Sequence, residues 1–248
     1  MNLADIARLV AEAAQLLAAH PLHWAVVVAL FLVTVEALMF LPWVGFVLKL
    51  TVSSLLACQM VALWLAAAGG LAPAPQALFQ GLGRPWSALW ALWGAALIPF
   101  LAGMAFLAAS RDRAHLRFFF GRVLRDPAPP AGTFFRLKLV MQLCALPFTF
   151  VAGAVLLAGL GGTAAWTRSA QLAAVHPLPL ALLLAFGLCQ EWAAMRLPAW
   201  ARSAVGVTTV LLVQALCVAA ELAFVSVLTH HAYADAGASS RGCISAPR

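Results

Sequence analysis

Apolar residues run along the chain in six long stretches, separated by short joints rich in polar residues, Pro and Gly. A membrane-crossing helix needs about 20 predominantly apolar residues to cover about 30 Å of hydrocarbon. Residues 22–41, 47–68, 85–109, 137–160, 177–195 and 204–228 meet that requirement and predict six spans. The joint Leu41-Pro42-Trp43-Val44-Gly45 carries turn residues and a tryptophan suited to the headgroup level. Pro99 and Pro147 predict kinks in the third and fourth spans. LAPAPQALFQGLGR, residues 71–84, reads as a short interfacial connection.

Two further stretches show helical periodicity with a polar face. Leu3, Ile6, Val10 and Leu17 recur at helical spacing, with Asp5, Arg8, Glu12 and Gln15 elsewhere on the wheel. Residues 3–19 therefore predict an amphipathic helix lying in the membrane interface. Its charges also interrupt the apolar run that a cleaved signal peptide requires. Between residues 113 and 125, Arg113, His115, Arg117, Arg122 and Arg125 share one half of the wheel. Leu116, Phe119, Phe120, Val123 and Leu124 fill the other, which describes a basic amphipathic helix. Residues 229–248 are polar and rich in small side chains, and predict a disordered tail. The expected fold class is all-α, a polytopic transmembrane helical bundle forming a single domain over residues 1–228.

Composition strengthens the membrane reading. The chain is 65% hydrophobic and 9% charged, with a mean hydropathy of +0.98. Soluble domains are about 45–50% apolar and about 25% charged, so this chain has too few polar groups to cover a water-facing surface. The net charge of +7 brings nucleic acid into question, but the cations flank apolar spans and the Phe residues of 118–120 do not interleave with Arg. Membrane lipids, with anionic headgroups at the basic loop, are the expected partners, together with a membrane-protein partner or a second copy of the chain.

Charge also orients the chain, because Lys and Arg concentrate in cytoplasmic loops. Loop 110–136 holds Arg111, Arg113, Arg117, Arg122, Arg125 and Arg136. Lys138, Lys49, Arg196 and Arg202 fall on the same side of a six-span chain, against Arg8, Arg84, Arg168, Arg241 and Arg248 opposite. This places loop 110–136 in the cytoplasm and both termini outside.

Chemistry-bearing residues are few. Glu36, Glu191 and Glu221 lie inside spans, where an ionisable group is a functional candidate because it is costly to insert. By the helical rise, Glu36 and Glu191 sit at similar depth, roughly 21–23 Å from the outer ends of their spans, and Glu221 at roughly 13 Å. A shared polar site between the first two, separate snorkelling, and an ion pair of Glu191 with Arg196 are the alternatives. His20, His23, His176, His230 and His231 gather near the outer surface, which makes His23, His176, His230 and His231 the only candidate metal or haem ligands. Because they flank the spans rather than line a bundle interior, interfacial polar roles account for them better. Cys58, Cys144, Cys189, Cys217 and Cys243 are scattered without C-x-x-C spacing. No nucleophile elbow, zinc-protease, phosphate-loop or dinucleotide motif occurs. No catalytic residue, cofactor or enzymatic activity is expected from these residues.

The run AAHPLHW, then FLPWVGFVLKL, then a span ending before GGLAPAPQALFQGLGR resembles the start of a family of uncharacterised bacterial multi-pass inner-membrane proteins. The resemblance covers residues 10–105. It implies an interfacial helix, a Pro-containing entry to the first span, an LPxxG-like turn and a bacterial inner-membrane location, and it carries over no catalytic residue. Three functions remain in view: an accessory or structural membrane component, a small transporter or channel using the intramembrane glutamates, and a haem or metal protein using the outer histidines.

Overall fold

The computed structural model describes residues 2–38, 45–110, 130–195 and 204–242. Among them every regular element is a helix and no strand forms. In chain order these are α1 (Leu3–Ala19), α2 (Pro21–Ala37), α3 (Gly45–Ala68), α4 (Trp86–Ala109), α5 (Ala131–Ala145), α6 (Val151–Leu157), α7 (Gly162–Val175), α8 (Pro177–Met195) and α9 (Ala204–Gly242), with 3-10 turns at Pro75–Gly83 and Leu146–Phe148. Four segments are long and apolar enough to cross a membrane: Leu48–Ala68, Trp86–Ala109, Gly132–Leu157 and Val213–Ala234. Two helix pairs, α1–α2 and α7–α8, each bent by 95°, bring the number to six if each pair is one span. The protein is an all-α polytopic bundle.

Each sharp bend follows from the same local chemistry. AQLLAAHPL (residues 14–22) and AQLAAVHPL (residues 170–178) match at seven of nine positions and stand at the two corners. Pro21 and Pro177 open the second helix of each pair, where a missing N–H costs nothing and the fixed φ suits a first turn. The helix that ends before each corner leaves carbonyls without partners. At the first corner the Leu16 carbonyl accepts from Trp24 Nε1 at 3.2 Å. At the second the equivalent Leu172 carbonyl accepts from His176 Nδ1 at 2.9 Å. The backbone repeats as well, with Trp24 N donating to His20 O and Leu180 N to His176 O. Equivalent wheel positions are buried on both short helices, Leu9 and Ala13 on α1 and Ala165 and Ser169 on α7. The corner is thus a duplicated unit.

The core is built around aromatic anchors. Trp24 and Trp64 stack at 3.5 Å between ring centroids, inside a cluster that includes Val27, Leu56, Met60, Phe150 and Leu228. Trp166 on α7 reaches α4, donating its indole N–H to the Ala91 carbonyl at 2.8 Å. It fills the notch left by Gly94, where a Cβ would come within 2.2 Å of the ring. Only glycine permits that approach. Leu101, Leu143, Leu182, Phe186, Val213 and Leu216 remain exposed, as an outward face solvated by lipid requires.

Several boundaries differ from the sequence reading. The fourth span begins earlier, since α5 starts at Ala131 and takes in Arg136, whose Nε donates to the Gly132 carbonyl. The span breaks at Leu146–Phe148, as Pro147 foretells, while α4 runs unbroken through Pro99. Helix α7 was not anticipated between the fourth and fifth spans. Residues 229–242, expected to be a disordered tail, continue α9. The reason is packing: Thr229 and Ala232 are buried, and α1 and α7 supply partners for His231 and Tyr233. The turn at residues 42–45 lies largely outside the described residues, and so does most of the basic loop, residues 111–129.

Candidate functional site

Polar side chains of α1 and α9 converge at one end of the bundle. A capping box between Asn2 and Asp5 starts α1, satisfying two of the amide groups that a helix start leaves open. Two turns on, Glu12 is shared: its Oε1 accepts from Arg8 Nε at 2.8 Å and its Oε2 from His231 Nε2 at 2.8 Å. Glu12 lies outside the four spanning helices. The hydrogen bond from His231 holds its carboxyl below the ordinary carboxylate range; partial burial opposes this, and Arg8 adds to the lowering. On the opposite flank Arg168 of α7 lies over the Tyr233 ring at 5.9 Å. Glu12 and Arg168 occupy equivalent positions before the two corners, and both grip the extension of α9.

Two clefts flank α1. The first, of about 280 Å³, lies between α1, α3 and α9, and mixes Glu12, Gln15, Ser226 and His230 with Leu16, Trp64 and Leu65. The indole N–H of Trp64 is buried and has no hydrogen-bond partner. The second, of about 300 Å³, lies between α1, α8 and α9 and is lined by apolar side chains such as Leu17, Leu183, Phe186 and Phe224, with Glu221 as the one acid.

The sequence candidates scatter across this frame. Glu221 enters the apolar groove. Glu36 and Glu191 fall on α2 and α8, but their side chains lie outside the described residues, as do Arg113, Arg117, Arg122 and Arg125. His23 is exposed and meets His20 at 5.8 Å between rings, and His230 meets His231 at 5.9 Å. His176 is buried at the second corner, bonded to Leu172 and tilted against Phe150. Among the described residues no three of His, Cys, Asp and Glu come together as a metal site.

Sequence reasoning missed Trp64 as a buried ring whose N–H has no partner, and Ser169 as the clasp of the broken span. The Ser169 hydroxyl donates to the Pro147 carbonyl at 2.7 Å and accepts from Phe150 N–H at 3.0 Å. It also missed Gln142 Oε1 on α5 and Gln190 Nε2 on α8, both buried without a partner. The repeated A-Q-L…H-P-L run was the legible signal for the corners. No protein-family model, curated protein or solved structure matches the chain.

Proposed function

We propose that the protein is an accessory or structural component of the bacterial inner membrane, or of a complex within it, rather than a catalyst. The setting of Glu221 supports this most directly: its groove is apolar, whereas a path for ions or polar solutes needs several polar groups in succession. Elsewhere at this end of the bundle a polar group ties helices together: Glu12 on α1, braced by Arg8 of the same helix, bonds His231 on α9. In this reading loop 110–136 faces the cytoplasm, the termini lie outside, and Arg113, Arg117, Arg122 and Arg125 bind anionic headgroups. No cofactor is required. Chemical cross-linking in native membranes is expected to capture a membrane-protein neighbour or a second copy of the chain.

A transporter or channel is the second reading, favoured by the two unpartnered amide atoms of Gln142 and Gln190 on packed helices. Proteoliposomes loaded with a pH-sensitive dye and given a proton or cation gradient separate the two. The accessory role predicts leakage equal to that of empty vesicles. Protein-dependent flux that disappears in Glu221→Gln would refute it.

A further inference from the structure

The groove between α1, α8 and α9 encloses about 300 Å³, and of the side chains that line it only Glu221 can carry a charge. The rest of the wall is hydrocarbon, with Phe186 of α8 and Phe224 of α9 as its aromatic members. Among the described residues the Glu221 carboxyl makes no hydrogen bond and no ion pair. Lys138 of α5 acts on it only from beyond ion-pair distance, and its Nζ lies 5.5 Å from the centroid of the Phe134 ring. Nor is the carboxyl sealed in protein, as the unpaired Gln142 Oε1 and Gln190 Nε2 are. Carboxylates inside a membrane pair with other groups or serve as counter-ions to ligands. This one has no partner within the described chain, and it borders an open groove of the size of a small-molecule site. Charge complementarity therefore calls for a cation.

Depth selects the kind of cation. Glu221 stands eight residues beyond Val213, the start of its span, roughly 12 Å along the helix axis. A strongly hydrated ammonium would have to shed its water shell to reach that level, and bare charge is costly in hydrocarbon. A cation whose charge is already covered by carbon has little water to lose. Its organic substituents match the apolar wall, and aromatic rings attract such cations through their faces. We propose that this groove binds a lipophilic organic cation, a quaternary ammonium or phosphonium, with Glu221 as its counter-ion and Phe186, Phe224 and Leu183 against its substituents. Binding needs no passage of the ligand across the membrane, so the site adds to the accessory role without depending on it.

The test uses the full chain purified in a nonionic maltoside detergent and titrated with tetraphenylphosphonium. A parallel titration uses tetraphenylborate, which has the same shape and the opposite charge. Isothermal calorimetry, with protein-free micelles as the blank, reads affinity and stoichiometry. Saturable one-to-one binding of the phosphonium is expected, with no saturable binding of the borate. Glu221→Gln keeps the shape of the side chain and removes only its charge, and should weaken phosphonium binding at least tenfold. Ala14→Trp places a large ring in the groove from the α1 side; it should abolish binding, and it carries the test if Glu221→Gln fails to fold. The proposal is overturned if the phosphonium shows no saturable binding above the micelle blank, if the borate binds as tightly, or if either folded variant retains wild-type affinity.

Discussion

Adding one methyl group at Gly94 should cost this protein more than adding it at any exposed glycine. In Gly94→Ala the new Cβ would lie 2.2 Å from the Trp166 ring, and an indole has no flexible end to swing aside. Forcing extra volume into a packed contact costs about 1–3 kcal/mol. If the ring retreats, its 2.8 Å hydrogen bond to the Ala91 carbonyl is weakened or lost, a further loss of about 0.5–1.5 kcal/mol. Alanine returns about 1 kcal/mol through its higher helix propensity. The net expectation is destabilisation by about 1–3 kcal/mol. Gly132→Ala provides the control, because its Cβ would meet nothing within 4 Å and should leave stability unchanged or slightly raised. Gly103→Ala should fall between them, since its nearest obstacle is Met141 at 2.6 Å, an adaptable thioether chain. Reversible unfolding in mixed micelles, followed by circular dichroism against added sodium dodecyl sulfate, measures all three. Trp166→Leu in the Gly94→Ala background removes the obstacle, so the double variant should lose less than the sum of the singles. A Gly94→Ala protein as stable as wild type, or more so, would show that the α4–α7 contact is not as described.

Three further outcomes follow from the same structure. Ser169→Ala leaves the Phe150 N–H and the Pro147 carbonyl unpaired in a buried site, and should lower stability by about 1–3 kcal/mol in the same unfolding assay; no change would remove the clasp assigned to this hydroxyl. Because His231 holds the Glu12 carboxyl below its ordinary range, the α1–α9 contact should be fully present above the unfolded-state carboxylate pKa and weaken only as pH falls through the depressed value. Hydrogen exchange across Leu3–Ala19 should therefore stay protected in mild acid and rise at lower pH, and Glu12→Gln should flatten that dependence; equal profiles for the two proteins would contradict it. Replacing Arg117 and Arg122 by Glu should reduce association with anionic nanodiscs relative to neutral ones, and equal association would refute headgroup binding by the basic loop.

What the sequence could disclose depended on range. Apolar runs were legible because lipid solvation demands them, and the stretch 177–195 returns as the helix Pro177–Met195, though it counts toward a span only together with α7. Helix α7 escaped because GTAAWTRSAQLAAV is only mildly apolar, so neither hydropathy nor a strong polar stripe marks it. Glu12 was visible only as one polar position on an amphipathic wheel, since its partner His231 lies 219 residues away. Trp166 and Ala91 are 75 residues apart, and nothing local to either announces the contact. Residues 229–242 looked unstructured because their composition is that of a tail, yet α1 and α7 supply partners for His231 and Tyr233. Glu36 and Glu191 could be matched in depth by counting residues, but depth alone does not fix the facing of two side chains.

The clasp at Ser169 also bears on the order in which the chain can be completed. The broken span Gly132–Leu157 leaves the ribosome before the hydroxyl that serves it, which follows 19 residues after Phe150. Until α7 has been synthesised and docked, the interruption at Leu146–Phe148 lacks its side-chain partner. An open amide in hydrocarbon is costly, so a nascent chain has reason to hold this segment against protein or water rather than release it to lipid. Insertion of the fourth span is thereby coupled to a helix encoded after it, and a stop placed between Leu157 and Ser169 should yield a segment retained at the insertion machinery.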